Sequence, residues 1–165
     1  MEITLLVSFL VLLTYVVSII AMFGVPSSLS DSFYLLQNKY PKKDWKWLFT
    51  ILCFTIAITV LIPWLEISNT SLQPLAFLSA AGLGFVGAAP HFKSHEKKIH
   101  ETGALMCAIY SQLWCVLSGF WYTPLIAIGA MAIPALKQKK NYTFYAEMAA
   151  FLSTYLGIFL KYLKI

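Results

Sequence analysis

The chain is a series of long apolar runs separated by short polar intervals. The apolar runs occupy residues 3–22, 47–64, 75–89, 102–120, 125–136 and 141–160. A helix needs roughly 20 mainly apolar residues to cross a bilayer, and the intervals leave no room for a separate soluble domain. The pattern therefore predicts an all-α, polytopic integral membrane protein, in which six transmembrane helices form one helical bundle over residues 1–165.

Two short segments complete this pattern. The fifth run has twelve residues, and as a helix it would span roughly 18 Å of a hydrocarbon core that is ~30 Å thick. It is therefore a tilted helix, a broken helix or a re-entrant segment. In the first loop, Ser30 and Asp31 precede a short apolar stretch, and residues of these types favour helix N-caps. We expect a short helix over residues 33–37 that lies in the interface or folds back on the bundle.

Composition supports a membrane protein and argues against nucleic acid as a partner. Hydrophobic residues make up 59% of the chain and charged residues 12%, whereas charged residues are about 25% of a typical soluble protein. The net charge of +5 comes from twelve lysines with no arginine, so the bidentate phosphate contacts of arginine are absent. The lysines flank apolar runs, where anionic headgroups and membrane orientation account for them.

The lysines alternate between loops and so predict the orientation. They cluster in the first, third and fifth loops, at Lys39, Lys42, Lys43, Lys46, Lys93, Lys97, Lys98, Lys137, Lys139 and Lys140. By the positive-inside rule these loops are cytoplasmic and the N-terminus lies outside, with the protein in an inner or plasma membrane. This orientation requires the fifth run to cross the membrane. Lys161 and Lys164 near the C-terminus are exceptions to the positive-inside rule, because the C-terminus is then outside.

Small residues in the third run indicate a face for helix packing. Ala80, Gly84 and Ala88 recur every four residues, a spacing that lets another helix approach closely. The face is interpreted first as a packing surface for a helix of the same chain, and a homo-oligomer through it is the alternative. The three cysteines lie inside apolar runs without a CxxC pair, and we interpret them as small packing residues.

The most polar interval, residues 90–104, contains all three histidines. With the orientation above, it shares the cytoplasmic end of the bundle with the first loop and with Glu147, the one carboxylate inside a predicted span. An ionisable side chain within a span is costly and usually faces the bundle interior with a partner. We therefore expect an imidazolium to keep Glu147 ionised in a binding pocket. The expected pocket residues are Ser30, Asp31, His100, Glu101 and Glu147.

Metal binding and catalysis are alternative interpretations of the same residues. His91 and His95 stand four apart, a spacing that on a helix suits metal ligands, and His100 with Asp31 would complete a three-ligand site. The interleaved lysines would repel a cation. A Ser/His/Asp triad can be written from Ser30, His100 and Asp31, but no nucleophile elbow surrounds the serine. We predict no metal and no cofactor, and the sequence does not decide whether the protein is an enzyme.

The order of these features resembles a known family. The matching residues are the pair Ser30-Asp31 after the first span, the run His100-Glu101-Thr102-Gly103-Ala104 at the fourth, and Glu147 early in the sixth. In this order they are similar to the six-span DRAM/FRAG/Sfk-like membrane family, which includes relatives involved in remodelling GPI-anchor lipids. The resemblance implies a six-span layout and a lipid-linked role.

Three functional hypotheses follow. In the first, a polar pocket in the cytoplasmic leaflet recognises or remodels a lipid headgroup, so that membrane lipids are the partners. In the second, the protein is an oligomeric channel or transporter in which Glu147 lines the path. In the third, it is a membrane assembly subunit without its own chemistry.

Overall fold

A computed structural model describes residues 2–92 and 95–164. Within these ranges the chain forms seven α-helices, two short 3-10 helices and no strand. The α-helices are α1 (Glu2–Phe23), α2 (Asp31–Lys39), α3 (Trp47–Ile67), α4 (Gln73–Ala88), α5 (Glu96–Leu117), α6 (Tyr122–Gln138) and α7 (Tyr142–Tyr162). The 3-10 helices are Asp44–Lys46 and Ala89–His91. The all-α prediction is confirmed for this part of the chain.

Four of the described helical segments are long and apolar enough to cross a membrane. They are Ile3–Phe23, Asp44–Ile67, Gln73–His91 and Tyr142–Tyr162, and they correspond to α1, α3, α4 and α7. The other two long helices differ from these in recognisable ways. α5 begins with the polar residues Glu96, Lys97 and Lys98, and α6 has 17 residues. The helices are those of an integral membrane protein.

The apolar runs match helices, but several helix boundaries differ from the predicted ones. α6 begins at Tyr122, so residues 122–124, which the hydropathy pattern leaves between the fourth and fifth apolar runs, belong to the helix. Pro124 lies in the first turn of α6, where its missing N–H removes no bond within the helix. The predicted twelve residues thereby become a 17-residue helix that ends at Gln138, and the next residue, Lys139, is in the left-handed conformation (φ 51°). α5 likewise begins six residues before the predicted span and includes His100 and Glu101.

The closest helix contact joins α4 to α5. A Cβ atom added to Gly82 would lie 2.6 Å from the backbone nitrogen of Cys107 and 2.7 Å from the carbonyl oxygen of Gly103. Both distances are far below van der Waals contact, so only glycine allows the two backbones to approach this closely. The predicted small-residue face lies elsewhere on α4. Ala80 on that face is buried within the chain, and a Cβ on Gly84 would stand 3.7 Å from the Phe54 ring of α3.

α2 folds back against the bundle. Its residues Ser32, Phe33 and Leu36 are buried, and the Phe33 ring packs edge-on against Trp47 at a centroid distance of 5.5 Å. The short helix is therefore present, two residues longer than predicted at each end. The expected cap is wrong: the Ser30 side chain makes no capping bond to any described residue, and Ser28 Oγ accepts the Asp31 N–H instead at 3.3 Å.

One end of the bundle collects the loops that contain most of the lysines. The Phe144 N–H at the start of α7 donates to the Ser27 carbonyl after α1 at 3.0 Å. The Trp47 ring at the start of α3 stacks on His91 after α4, with centroids 4.4 Å apart. These contacts place the ends of α1 and α4 beside the starts of α3 and α7. We call this region, residues 24–46, 89–92, 95–101 and 137–144, the basic end.

Candidate functional site

Three hydrogen bonds join the start of α7 to the loop after α1. The Leu29 N–H donates to Glu147 Oε2 at 2.6 Å. The side-chain amide of Asn141 donates to the Val25 carbonyl at 2.9 Å, and the backbone bond from Phe144 lies between them. A backbone N–H bound to a carboxylate makes a stronger bond than a neutral pair does. These bonds hold Glu147 in place one turn below the basic end.

A cavity of about 110 Å³ lies beside this junction, between α3, α4, α5 and α7. A single water needs roughly 10–15 Å³ of such space, so this cavity has room for several waters or for part of a ligand. Ser30, His100 and Glu147 line it where it meets the basic end. Apolar side chains such as Leu52, Ile56 and Leu83 form most of the remaining wall. The cavity is therefore amphipathic, with its ionisable groups at one end.

His100 is half-buried on the second turn of α5, above the predicted span. Burial lowers the pKa of its imidazole, because the charged form loses solvation, while the neighbouring carboxylates Glu101, Glu96 and Asp31 raise it by less. Burial therefore favours the neutral imidazole. We had expected an imidazolium bound to Glu147; the described residues include no hydrogen bond or ion pair between His100 and Glu147, and Leu29 is the partner of the carboxylate.

Asp31 lies beside the cavity without lining it. Its carboxylate accepts a hydrogen bond from the Ser27 hydroxyl within the loop after α1. Its charge nevertheless affects the pKa of His100, so the two groups are near one another. Ser30, which does line the cavity, shares a hydrogen bond with the Ser28 hydroxyl at 2.9 Å.

Glu101 is the one predicted pocket residue that the structure places away from the cavity. Its carboxylate is 59% exposed and lies 3.8 Å from the ammonium of Lys97, which is 87% exposed. Exposed pairs four residues apart on a helix contribute only about 0.3–0.5 kcal/mol. Of the predicted set, Ser30, His100 and Glu147 meet at the cavity, Asp31 lies next to it, and Glu101 faces outward.

The positions of the histidines and of Ser30 do not favour a metal site or a catalytic triad. His91 lies in a 3-10 helix and is stacked on Trp47, whereas His95 immediately precedes α5, so the two do not share one helix. The described residues contain no group of three or more His, Cys, Asp or Glu side chains that could hold a metal ion. The Ser30 hydroxyl bonds to Ser28, and no described bond joins it to His100.

Several lining residues were not foreseen as members of a site. Cys53 on α3 and Cys107 on α5 both face the cavity, although we had interpreted them as packing residues. Trp64 lines the cavity as well, and its buried indole N–H has no hydrogen-bond partner among the described residues. No spacing in the sequence distinguishes these positions from their neighbours, because α3 is apolar on every side.

Comparisons with known proteins add no identification. The chain matches no family model, no curated protein and no solved structure.

Proposed function

We propose that this protein is a six-helix membrane protein whose internal cavity binds a membrane amphiphile, with the headgroup at the basic end and the chain along the apolar wall. The observation that carries the proposal is the amphipathic cavity: Ser30, His100 and Glu147 at one end, and a wall that is otherwise mostly apolar. Small-molecule sites are mostly apolar and have a few polar groups that fix orientation. The resemblance to lipid-remodelling proteins agrees with a lipid ligand.

The membrane arrangement proposed here adds α5 and α6 to the four clear spans. The apolar part of α5 begins after Glu101, and α6 has 17 residues, which cover about 26 Å of a ~30 Å core. The six long helices then cross in turn, and the basic end faces the cytoplasm. In this orientation the ionisable groups of the cavity lie in the cytoplasmic leaflet, at the depth of lipid headgroups.

We propose recognition of the headgroup without a covalent step. A hydrolytic reaction needs a nucleophile in contact with a base, and the described residues contain no bond between Ser30 and His100. Glu147 and His100 are suited to accepting hydrogen bonds from a ligand, a role that requires no further group.

The test is to measure which lipids remain bound to the purified protein. Native mass spectrometry of the wild type should show one retained amphiphile for each chain. Ala108→Phe adds a ring to the cavity wall from a half-buried position on α5 and should remove this adduct. The matched control is Ala130→Phe, at an exposed position of α6, which should retain it.

A second filling variant keeps the test valid if Ala108→Phe fails to fold. Ala57→Leu fills the cavity from α3 and should lower the retained amphiphile in the same way. The proposal is overturned if the wild type carries no amphiphile, or if a folded cavity-filled variant retains as much of it as the control does.

A further inference from the structure

The charges around the cavity define the kind of headgroup that fits there. Among the described residues Glu147 is the one acidic side chain that lines the cavity, and the Asp31 carboxylate lies close to it. Burial lowers the pKa of the His100 imidazole and so favours its neutral form. No lysine lines the cavity in the described part of the chain. The polar end of the cavity therefore presents a carboxyl group and no ammonium group among the described residues, although it lies beneath a surface rich in lysine.

Several lysines of the basic end are held by other partners. The Lys39 ammonium lies 4.9 Å from the centroid of the Phe23 ring, and that of Lys43 lies 4.8 Å from the Trp45 ring. Lys46 stands 5.4 Å from the Trp47 ring. These distances are those of cation–π contacts. None of the three lysines reaches the cavity wall, so they do not neutralise Glu147 from inside.

The hydrogen-bonding capacity of the polar end is mainly that of an acceptor. Glu147 has only acceptor oxygens when ionised, and Leu29 occupies one of them. A neutral imidazole offers one acceptor nitrogen, and the Ser30 hydroxyl also accepts. A headgroup that presents several N–H donors and a positive charge satisfies these groups, whereas an ionised phosphate or carboxylate headgroup would offer them only acceptor oxygens.

We infer that the ligand of this cavity is a cationic amphiphile, a long-chain amine whose ammonium group binds Glu147, Ser30 and His100 while the first part of its chain lies along the apolar wall. This inference rests on the proposed function, because it names the class of headgroup for the same cavity. Glu147 determines the specificity, and an alcohol of the same chain length serves as the uncharged comparison.

The experiment compares three probes of equal chain length: octadecylamine, octadecanol and octadecanoic acid. Their occupancy of the purified protein is measured by native mass spectrometry at pH 7. Hydrogen bonds to charged groups are worth about 1.5–3 kcal/mol, so the wild type should bind the amine roughly tenfold or more tightly than the alcohol. The acid should bind least.

The variant Glu147→Gln tests recognition of the headgroup without disrupting the fold. The amide oxygen of glutamine can still accept the Leu29 N–H, so the loop stays attached while the charge is removed. In this variant the affinity for the amine should fall to within about twofold of the affinity for the alcohol, since the charge-assisted hydrogen bond is lost. Glu66→Gln, the same change at an exposed site at the opposite end of α3, should keep the wild-type preference.

The outcomes distinguish the inference about the headgroup from the proposal that the cavity binds an amphiphile. If the wild type binds all three probes equally, or if Glu147→Gln keeps the amine preference, the inference about the headgroup is overturned while amphiphile binding stands. If none of the probes binds and no amphiphile is retained on purification, the proposed function fails as well.

Discussion

The backbone N–H of Leu29 donates a 2.6 Å hydrogen bond to the carboxylate of Glu147. This bond joins residues that are 118 positions apart in the chain and connects the loop after α1 to the first turns of α7. The bond also explains why an acidic side chain is tolerated inside a spanning helix. Burial takes the Glu147 carboxyl group out of water, and the Leu29 N–H replaces one of its lost hydrogen bonds. The same residue then presents its remaining acceptors to the cavity.

The first prediction concerns the stability that this bond provides. Glu147→Ala should lower the free energy of unfolding by about 1.5–3 kcal/mol, because the Leu29 N–H loses a charged acceptor. Glu147→Gln should cost less, since an acceptor oxygen remains. Denaturant unfolding in mild detergent measures both. Equal losses for the two variants would show that the bond to Leu29 does not stabilise the fold.

The second prediction concerns the contact between α4 and α5. Gly82→Ala should destabilise the protein by about 1–3 kcal/mol, because the new methyl group meets backbone atoms of Cys107 and Gly103 that cannot move aside. Gly129→Ala on α6 is the matched control. A Cβ there meets nothing within 4 Å, so alanine should be neutral or stabilising by about 0.5–1 kcal/mol. Thermal unfolding of both variants checks the difference, and a stable Gly82→Ala protein would contradict the close approach.

The third prediction is a pH dependence of stability that originates at His100. Burial lowers its pKa below the ordinary value of 6.5, so the unfolded chain binds the proton more tightly than the folded protein does. The contribution of neutral His100 to the free energy of unfolding is therefore fully present above about pH 6.5 and decreases as the pH falls below that value. Unfolding midpoints measured from pH 8 down to pH 5 should fall less steeply for His100→Gln than for the wild type.

The control for this prediction is His95→Gln, which removes a histidine at an exposed position outside the cavity. Its pH profile should remain closer to that of the wild type than the profile of His100→Gln does. Parallel curves for the wild type and His100→Gln would contradict a lowered pKa for His100.

Much of the helix layout could be predicted from the sequence, whereas the lining of the cavity could not. Runs of apolar residues identified the long helices, because a spanning segment is apolar throughout. Because such a helix is apolar on all its faces, its sequence does not indicate which face packs against the bundle. On α3, Ile58 is 63% exposed and Ile56 is 3% exposed, and both are isoleucine. Periodicity therefore carries no information there, and Cys53 and Trp64 could not be assigned to a cavity.

The polar residues of the site could be predicted better than their partners. Glu147 and His100 stood out because ionisable groups near a membrane interior are costly. Their pairing with one another was expected from charge alone. The actual donor to Glu147 is a backbone N–H of Leu29, and backbone groups of a distant loop leave no trace in a hydropathy pattern. The predicted homo-oligomer through Ala80, Gly84 and Ala88 stays a prediction.

The fourth prediction is the membrane orientation. His95 and Lys139 belong to the basic end and should be cytoplasmic. Asn69 lies between α3 and α4 and Thr123 in the first turn of α6, both at the opposite end, and these two should face out. Reporter fusions at these four positions decide it. Two or more positions on the wrong side would contradict six crossings and would remove the cavity's polar end from the cytoplasmic leaflet.

The central claim is that an amphiphile occupies the cavity between α3, α4, α5 and α7, and photo-crosslinking tests it most directly. Octadecylamine and octadecanol, each with a diazirine in mid-chain, are reconstituted with the protein, and adducts are mapped by peptide mass spectrometry. We predict adducts on lining residues such as Leu52, Ile56 and Leu83 that saturate with probe and disappear in Ala108→Phe. Adducts confined to outward-facing residues such as Ile58 and Phe77, unchanged in that variant, would contradict the account.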